Sequence, residues 1–246
     1  MTVLITGAAS GIGAATARRL SKRTGVVIAD RNIEAAARLA DEISAGGGTA
    51  WAAEIDVTSR ASIAAMMDKV AAEAGPVHGL FNNAGISIRQ RIEDITETAW
   101  DAVIQTHVKG TFLVSQAVLP QMLERGSGVI VNSSSDFAVI GVPRAAAYAA
   151  AKTAVYALTK AMTVEFAGSG IRVNAIGPGP IDTPMLRAGR SPAEAEAAIE
   201  ANRQRVPMKR LGRPAEVAAV VDFLLSERSA YIAGQLIHPN GGVLSW

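Results

Sequence analysis

The sequence predicts a single α/β domain built on a doubly wound, seven-stranded parallel sheet with helices on both faces. Short β-branched runs alternate with longer alanine-rich stretches along the whole chain, which is the pattern of strands joined by crossover helices. These short runs are almost continuously apolar, as expected for strands covered on both faces. The chain has 246 residues, 49% of them apolar and 19% charged. One domain of this size can bury a sizeable core.

Seven short apolar runs are the strand candidates, and helices are predicted between them. The helix near the C-terminus has clear local signals, because Pro214 suits a first turn, where its missing N–H costs nothing. Val217, Val221 and Leu224 then recur at helical spacing. The strand candidates are residues 3–6, 26–30, 49–55, 77–81, 128–132, 171–176 and 235–238.

Charge and cysteine content exclude several function classes. The 24 basic and 22 acidic residues give a formal net charge of +2, which is too small and scattered for a nucleic-acid or anionic-membrane surface. The chain has no cysteine, which excludes a disulfide framework, a thiolate metal site and a cysteine nucleophile. The first residues include no basic leader, and charges interrupt every long apolar stretch. We therefore expect a cytoplasmic protein without a membrane span.

The longest irregular segment spans residues 177–207. It opens with Gly-Pro-Gly-Pro and contains the run Ala-Glu-Ala-Glu-Ala, which is typical of a short mobile helix. We interpret this segment as a substrate lid within the single domain 1–246.

A glycine-rich turn follows the first strand candidate and opens a helix. It reads Thr6-Gly7-Ala8-Ala9-Ser10-Gly11-Ile12-Gly13. In this position the backbone N–H groups of a tight turn and the helix N-terminus face a pyrophosphate. The turn predicts a Rossmann-like dinucleotide site, although a glycine-rich turn without a ligand has the same local sequence.

The end of the second strand candidate bears on the choice of dinucleotide. Asp30 lies there, and an acidic side chain in this position accepts hydrogen bonds from ribose hydroxyls and repels a 2′-phosphate, which favours NAD. Arg31 is adjacent and could bind that phosphate instead. NADP therefore remains an open alternative.

The spacing Thr-Gly-x-x-x-Gly-x-Gly resembles that of the short-chain dehydrogenase/reductase family. Later segments are similar to family motifs too: Asp56-Val57 to its adenine-contacting pair, Asn82 to Gly85 to its turn beside the cofactor, and Pro178 to Thr183 to its nicotinamide-binding loop. The resemblance extends over the whole chain. The cofactor contacts that it implies are Gly7, Ser10, Gly11, Ile12, Gly13, Asp30, Asp56, Val57, Asn83, Ala84, Gly85, Tyr148, Lys152, Pro178, Ile181 and Thr183.

A phenol and an ammonium lie four residues apart in Tyr148-Ala-Ala-Ala-Lys152, hence on one face of a predicted helix. The resemblance selects Ser135, the last of three serines that close the fifth strand, as the hydroxyl that meets Tyr148 over the substrate. A phenol has an unperturbed pKa of about 10, so its use as a base at neutral pH requires a shift of roughly two to three units. We expect Lys152 and the charged nicotinamide to lower the pKa of Tyr148.

His107 stands where the family usually has a fourth catalytic residue, an asparagine. In the family that residue helps to hold a water that relays protons from the lysine, partly through its backbone carbonyl. A histidine keeps the carbonyl and adds a titrating ring. We hypothesise that His107 acts as the relay element. His78, His107 and His238 are too dispersed in sequence to suggest a metal cluster, so no metal site is predicted.

Side chains without a cofactor role in the family pattern are candidates for substrate recognition. Arg89, Arg91 and Arg144 could read an anionic substrate, but solvated loop charges explain them equally well. The substrate candidates are Arg89, Asp136, Phe137, Arg144 and Met185.

The resemblance implies an oxidoreductase that transfers a hydride between NAD(H) and a small secondary alcohol or ketone, with Tyr148 as acid and base. It also implies a homotetramer. One alternative is a 3-oxoacyl-carrier-protein reductase that uses NADPH. Asp30 argues against that reading, as does Ser169, where those enzymes commonly carry a basic residue. An alternative of another class is a non-catalytic dinucleotide sensor.

Overall fold

The computed structural model describes residues 1–244. All the strands in this part of the chain form one parallel sheet of seven, in the order β3-β2-β1-β4-β5-β6-β7. The predicted fold class is confirmed, and the strand bounds differ from the predicted ones by no more than one residue. The strands are β1 Thr2–Thr6, β2 Gly25–Asp30, β3 Ala50–Glu54, β4 Val77–Asn82, β5 Gly128–Ser133, β6 Ile171–Ile176 and β7 Leu236–Ile237.

Nine α-helices connect these strands within the described residues. Several begin at a residue whose side chain satisfies the first free amides: the Asn32 side chain accepts from Ala35, and Ser191 and Glu194 cap each other's backbone. The helix predicted to start at Pro214 does so. The helices are α1 Gly11–Leu20, α2 Ile33–Ala45, α3 Arg60–Glu73, α4 Glu97–Ile104, α5 Gly110–Arg125, α6 Ala146–Phe166, α7 Pro184–Arg187, α8 Pro192–Arg205 and α9 Pro214–Leu224.

The core consists of two apolar clusters, one on each face of the sheet. Alternate residues of β1 point to opposite faces, so Val3 and Ile5 belong to one cluster and Leu4 to the other. Residues of α1, α2 and α9 cover the first face, and residues of α3, α5 and α6 cover the second. Because both faces are covered, the strands are apolar throughout, as the sequence indicated.

The topology fixes where a ligand can bind. β1 pairs with β2 on one side and with β4 on the other, so the chain reverses its direction of winding at this point. Crossover helices leave on opposite faces there, and a crevice opens at the carboxyl ends of the strands.

The predicted lid contains two helices, α7 and α8, and the second is longer than expected at 14 residues. Between α4 and α5 the chain forms one π-helical turn, Gln105–Lys109, which contains His107. Within residues 1–244, no helix is both long enough and apolar enough to cross a membrane.

Candidate active site

A cavity of about 380 Å³ lies at the carboxyl ends of the strands. It is lined by residues that are widely separated in the chain, from the glycine turn after β1 to the end of α8. All but three of the sequence-predicted site residues line it; the exceptions are Gly13, Arg91 and Arg144. The structure therefore brings the predicted nucleotide end and the predicted chemical end into one pocket.

The glycine turn provides backbone donors at the mouth of α1. Gly7 and Gly11 have φ values of +62° and +55°, which side chains rarely allow. A Cβ on Gly7 would lie 2.7 Å from the Cα of Ala84. The Ser10 side chain makes no capping hydrogen bond, so the first amides of α1 are available to an anionic ligand.

Gly13 has a packing role. A Cβ at this position would lie 2.4 Å from the carbonyl oxygen of Gly7 and 2.8 Å from Asn83 Nδ2. The absence of a side chain lets α1 approach the turn closely. The structure thus places Gly13 behind the residues that line the pocket, and its direct contact with a cofactor stays a prediction.

Asn83 ties the glycine turn to the end of β4. Its side-chain Nδ2 donates to the carbonyl oxygens of Thr6 and Gly7, at 3.1 and 2.9 Å. The hydroxyl of Thr6 accepts from the backbone N–H groups of Asn83 and Ala84. With its amide donors used inside the protein, the Asn83 side chain positions the turn.

Two carboxylates lie at the nucleotide end. Asp30 accepts from the backbone N–H of Ala9 and from that of Asn32, both at 3.0 Å. Asp56 Oδ1 accepts from the backbone and hydroxyl of Thr58, which lowers the pKa of Asp56. Both groups keep acceptor capacity toward a nucleoside, and Arg31 lines the same part of the pocket.

The loop after β6 closes the pocket from the other side. The carbonyl of Pro178 accepts from the backbone N–H of Asp136, and Ile181 forms an isolated bridge with Gly212. Thr183 faces the glycine turn, because a Cβ on Gly11 would meet its methyl group at 3.3 Å. These contacts hold the loop beside the mouth of α1.

The three serines at the end of β5 have three different roles. The carbonyl oxygen of Ser133 accepts from Lys152 Nζ at 2.6 Å, and the hydroxyl of Ser134 donates to the Lys152 carbonyl at 2.8 Å. The hydroxyl of Ser135 donates to Asp136 Oδ1 at 3.0 Å and acts to lower the pKa of Tyr148. Ser135 is thus the serine whose hydroxyl influences the phenol, and the catalytic role that the family resemblance implies for it stays a prediction.

The electrostatics of the phenol differ from the sequence-based expectation. Burial, followed by the negative charge of Asp136, raises the pKa of Tyr148 to about 12, and the opposing effects of Ser135 and Arg89 are smaller. Burial also lowers the pKa of Lys152 to about 7, which weakens its charge at neutral pH. Burial therefore outweighs the lowering of the Tyr148 pKa that we expect from Lys152 and the charged nicotinamide, and the effect of the nicotinamide stays a prediction.

His107 is buried, with 1% of its surface exposed. Its Nε2 lies 2.7 Å from the carbonyl oxygen of Ile86, while its Nδ1 has no hydrogen-bond partner among the described residues. Burial, with the charge of Lys152, lowers the pKa of His107 to about 3. The imidazole of His107 is therefore neutral at physiological pH. This corrects the sequence-based expectation that His107 adds a ring that titrates there.

The substrate end of the pocket is aromatic and cationic. The ring of Phe137 meets that of Tyr148 edge to face, with centroids 5.8 Å apart. Two guanidinium groups lie over Phe137: the Cζ of Arg89 is 5.4 Å from its centroid and that of Arg205 is 5.7 Å away. Arg190 and Met185 line the same cavity.

Of the three arginines at this end of the pocket, Arg89, Arg190 and Arg205, only Arg89 was predicted from the sequence. Arg144 is exposed and lies outside the lining, so the structure does not support it as a substrate residue. Arg190 and Arg205 were missed, although both belong to the segment predicted to be a lid. Their position in that segment was the one available signal. Within residues 1–244, no group of three or more histidine and acidic side chains is arranged to hold a metal ion.

Comparison with known proteins identifies the family. A family model described as enoyl-(acyl carrier protein) reductase matches residues 7–244. The chain belongs to the short-chain dehydrogenase/reductase family. A 3-oxoacyl-[acyl-carrier-protein] reductase of Thermotoga maritima is 41% identical over 242 residues, which cover 98% of this chain and 96% of that protein.

Two further proteins, both dehydrogenases by name, are similar over most of their lengths. A cis-4-hydroxycyclohexanecarboxylate dehydrogenase of Sinomonas cyclohexanicum is 40% identical over 240 residues, with 97% of this chain and 94% of that protein covered. The crystal structure of a gluconate 5-dehydrogenase from Burkholderia cenocepacia, in complex with NADP and tartrate, matches with a TM-score of 0.91 and 36% identity. The match covers 98% of this chain and 94% of that one. The chain is therefore similar to oxidoreductases with different substrates.

Proposed function

We propose that this protein is an NAD-dependent oxidoreductase that interconverts a secondary alcohol and its ketone. One observation carries the proposal: Ser135, Tyr148 and Lys152 line the same cavity as the amides at the mouth of α1. A proton-transfer group and a phosphate-binding turn in one crevice are the two parts that nicotinamide chemistry needs from a protein. A dinucleotide fits the uncapped amides and the two cradles that a Cβ at Gly7 or Gly11 would fill.

Three side chains of this chain act on the substrate oxygen and its proton. The bound nicotinamide supplies the site that accepts a hydride from the alcohol carbon or donates one to the carbonyl carbon. Ser135 holds the substrate oxygen by a hydrogen bond and polarises it. Tyr148 takes the hydroxyl proton in oxidation and returns it in reduction. Lys152, fixed by the Ser133 carbonyl, lies with its Nζ 5.4 Å from the Tyr148 ring centroid and stabilises the phenolate when protonated.

Because the pKa of Tyr148 is raised, alcohol oxidation and carbonyl reduction depend on pH in opposite ways. The neutral phenol is the form that donates a proton to a carbonyl oxygen, and it dominates at neutral pH because the pKa of Tyr148 is about 12. Oxidation needs the phenolate, so its rate rises as pH rises. Reduction is therefore the direction favoured at neutral pH.

Cofactor selection rests on Asp30. Its carboxylate lines the pocket at the end of β2, where it can accept from both ribose hydroxyls and would repel a 2′-phosphate. Arg31 offers the opposite charge beside it. We propose NAD as the preferred cofactor, with NADP used more weakly.

A second candidate is reduction of a 3-oxoacyl group on an acyl carrier protein. The 41% identity to a reductase of that name favours it. Two residues argue against it: Asp30 disfavours NADP, and Ser169 stands where a basic residue would meet an acidic carrier. We therefore rank reduction of a carrier-bound 3-oxoacyl group second to the oxidation or reduction of a small-molecule alcohol or ketone.

The test is NAD- and NADP-linked turnover of a panel of secondary alcohols and ketones. The Tyr148→Phe variant should lose activity by about 1,000-fold or more, since the proton-transfer group is gone. Tyr156→Phe is the matched control, because Tyr156 lies two turns further along α6 and outside the pocket. Cofactor binding without turnover of any substrate would contradict the proposal and favour a dinucleotide sensor.

We also propose a homotetramer, as the family resemblance implies. The outer face of α6 carries small exposed residues, Ala150, Thr153 and Ala157, which would permit close helix packing. Light scattering should give four times the monomer mass of 25.5 kDa. A monomeric mass would contradict this assembly.

A further inference from the structure

Three guanidinium groups line the substrate end of the pocket, and each comes from a different segment. Arg89 lies in the loop after β4, Arg190 lies between α7 and α8, and Arg205 is the last residue of α8. Arg89 and Arg205 both lie over the ring of Phe137, whose edge contact with Tyr148 places them next to the reacting group.

The acidic groups near these cations are too few to balance them. Asp136 pairs with Arg205 through Oδ2, at 3.8 Å, while its Oδ1 accepts from Ser135, so this carboxylate balances one of the three cations. Glu194 Oε2 accepts from the backbone and the hydroxyl of Ser191, and these hydrogen bonds lower the pKa of Glu194 more than the charge of Arg190 does. The pocket's other carboxylates, Asp30 and Asp56, lie at the nucleotide end.

The three cations also interact with one another. The pKa of Arg89 is lowered first by desolvation and then by the positive charge of Arg190, with a smaller contribution from Arg205, whereas Tyr148 and Asp136 act in the opposite direction. All three side chains are guanidinium groups, which carry a positive charge in proteins. Like charges that converge on a partly desolvated cavity cost free energy, and a bound anion would remove that cost.

We propose that the substrate carries an anionic group, a carboxylate, sulfonate or phosphate, which Arg89, Arg190 and Arg205 bind beside Phe137. The proposal rests on the proposed function and deepens it by naming the substrate class. Guanidinium groups suit this role because their paired N–H donors match the oxygens of such anions. Phe137 holds two of the guanidiniums in place while its own ring packs against the alcohol-bearing part of the substrate.

The experiment compares pairs of alcohols that differ in charge. The probes are 3-hydroxybutanoate against its methyl ester, with 2-hydroxypropane-1-sulfonate and 2-hydroxypropyl phosphate to distinguish the three anions. We expect kcat/KM for at least one anion to exceed that of the neutral ester by about 30-fold or more. Its KM should rise with ionic strength, as charge screening requires.

Variants assign the effect to two of the three cations. Arg89→Gln and Arg205→Gln should each reduce the preference for the anion about tenfold, mainly through KM, because one charge-assisted hydrogen bond is lost. Arg144→Gln is the matched control, since Arg144 is exposed and outside the pocket. The Arg144→Gln variant should prefer the anion over the neutral ester to the same extent as the wild type.

Failure of this inference and failure of the proposed function give different results. Equal turnover of anion and ester, or a preference that survives both pocket variants, overturns the anion site while the oxidoreductase stands. If no alcohol is oxidised, calorimetry with the same four probes still tests the site, and binding of an anion that Arg205→Gln abolishes supports it. Turnover of carrier-bound 3-oxoacyl thioesters alone, without binding of the free anions, overturns it.

Discussion

The imidazole of His107 meets the phenol ring of Tyr148 edge to face, with ring centroids 5.3 Å apart and planes at 87°. The contact lies inside the proposed active site, between the π-helical turn that follows α4 and the start of α6. It gives His107 a packing role beside the proton-transfer group. Because the imidazole is neutral, its influence on Tyr148 is steric and not ionic.

The first prediction concerns acid stability. The folded-state pKa of His107, about 3, lies below the ordinary 6.5, so the unfolded chain takes up this proton first as pH falls. The stabilisation is present above pH 6.5 and is lost as pH falls toward 3. The free energy of unfolding of His107→Asn, measured by urea denaturation, should therefore fall less steeply than that of the wild type across this window. Parallel curves would contradict a buried neutral imidazole.

The second prediction concerns Gly85, which leaves room for the imidazole. A Cβ on Gly85 would lie 2.4 Å from Cε1 of His107. Gly85→Ala should destabilise the fold by about 1–3 kcal/mol through overpacking, and His107→Ala should relieve most of that cost. Gly168→Ala is the control, because its Cβ would meet nothing within 4 Å. Additive effects of the Gly85 and His107 substitutions would show that the two residues are not coupled.

The third prediction concerns cofactor choice. Asp30→Asn removes the charge that would repel a 2′-phosphate and leaves Arg31 beside it. The ratio of kcat/KM with NAD to that with NADP should fall by about tenfold or more, which corresponds to roughly 1.4 kcal/mol of lost discrimination. Glu54→Gln, an exposed carboxylate at the end of the neighbouring strand, is the control for net charge. An unchanged ratio in Asp30→Asn would assign the selection to another residue.

The fourth prediction concerns the pH dependence of oxidation. The charge of Asp136 raises the pKa of Tyr148, so Asp136→Asn should lower that pKa and favour the phenolate. The rising limb of kcat for alcohol oxidation should move to lower pH, by about half a unit to one unit. Asp182→Asn removes an exposed carboxylate that pairs with Arg187 and serves as the control. A shift to higher pH would contradict the electrostatic account.

The sequence determined the fold class and most of the pocket because each strand-end motif lies at the carboxyl edge of a parallel sheet. Gly7, Asp30 and Ser135 lie at the carboxyl ends of three different strands, and in a parallel sheet these ends converge on one edge. The apolar runs that predicted the strands also predicted that both faces are covered. Local patterns were sufficient because a parallel sheet brings the carboxyl ends of its strands to one edge.

Only the tertiary structure decided the electrostatics and the substrate end. The pKa values of Tyr148, Lys152 and His107 depend on burial by segments distant in the chain, which no local spacing encodes. Arg205 reaches Phe137 across 68 positions of sequence because α8 lies over the cavity, whereas Arg144, only seven positions from Phe137, is exposed outside it. At the substrate end, proximity in sequence did not predict which arginines line the pocket. Loops and lid helices are positioned by packing, and the periodicity of the sheet does not determine their place.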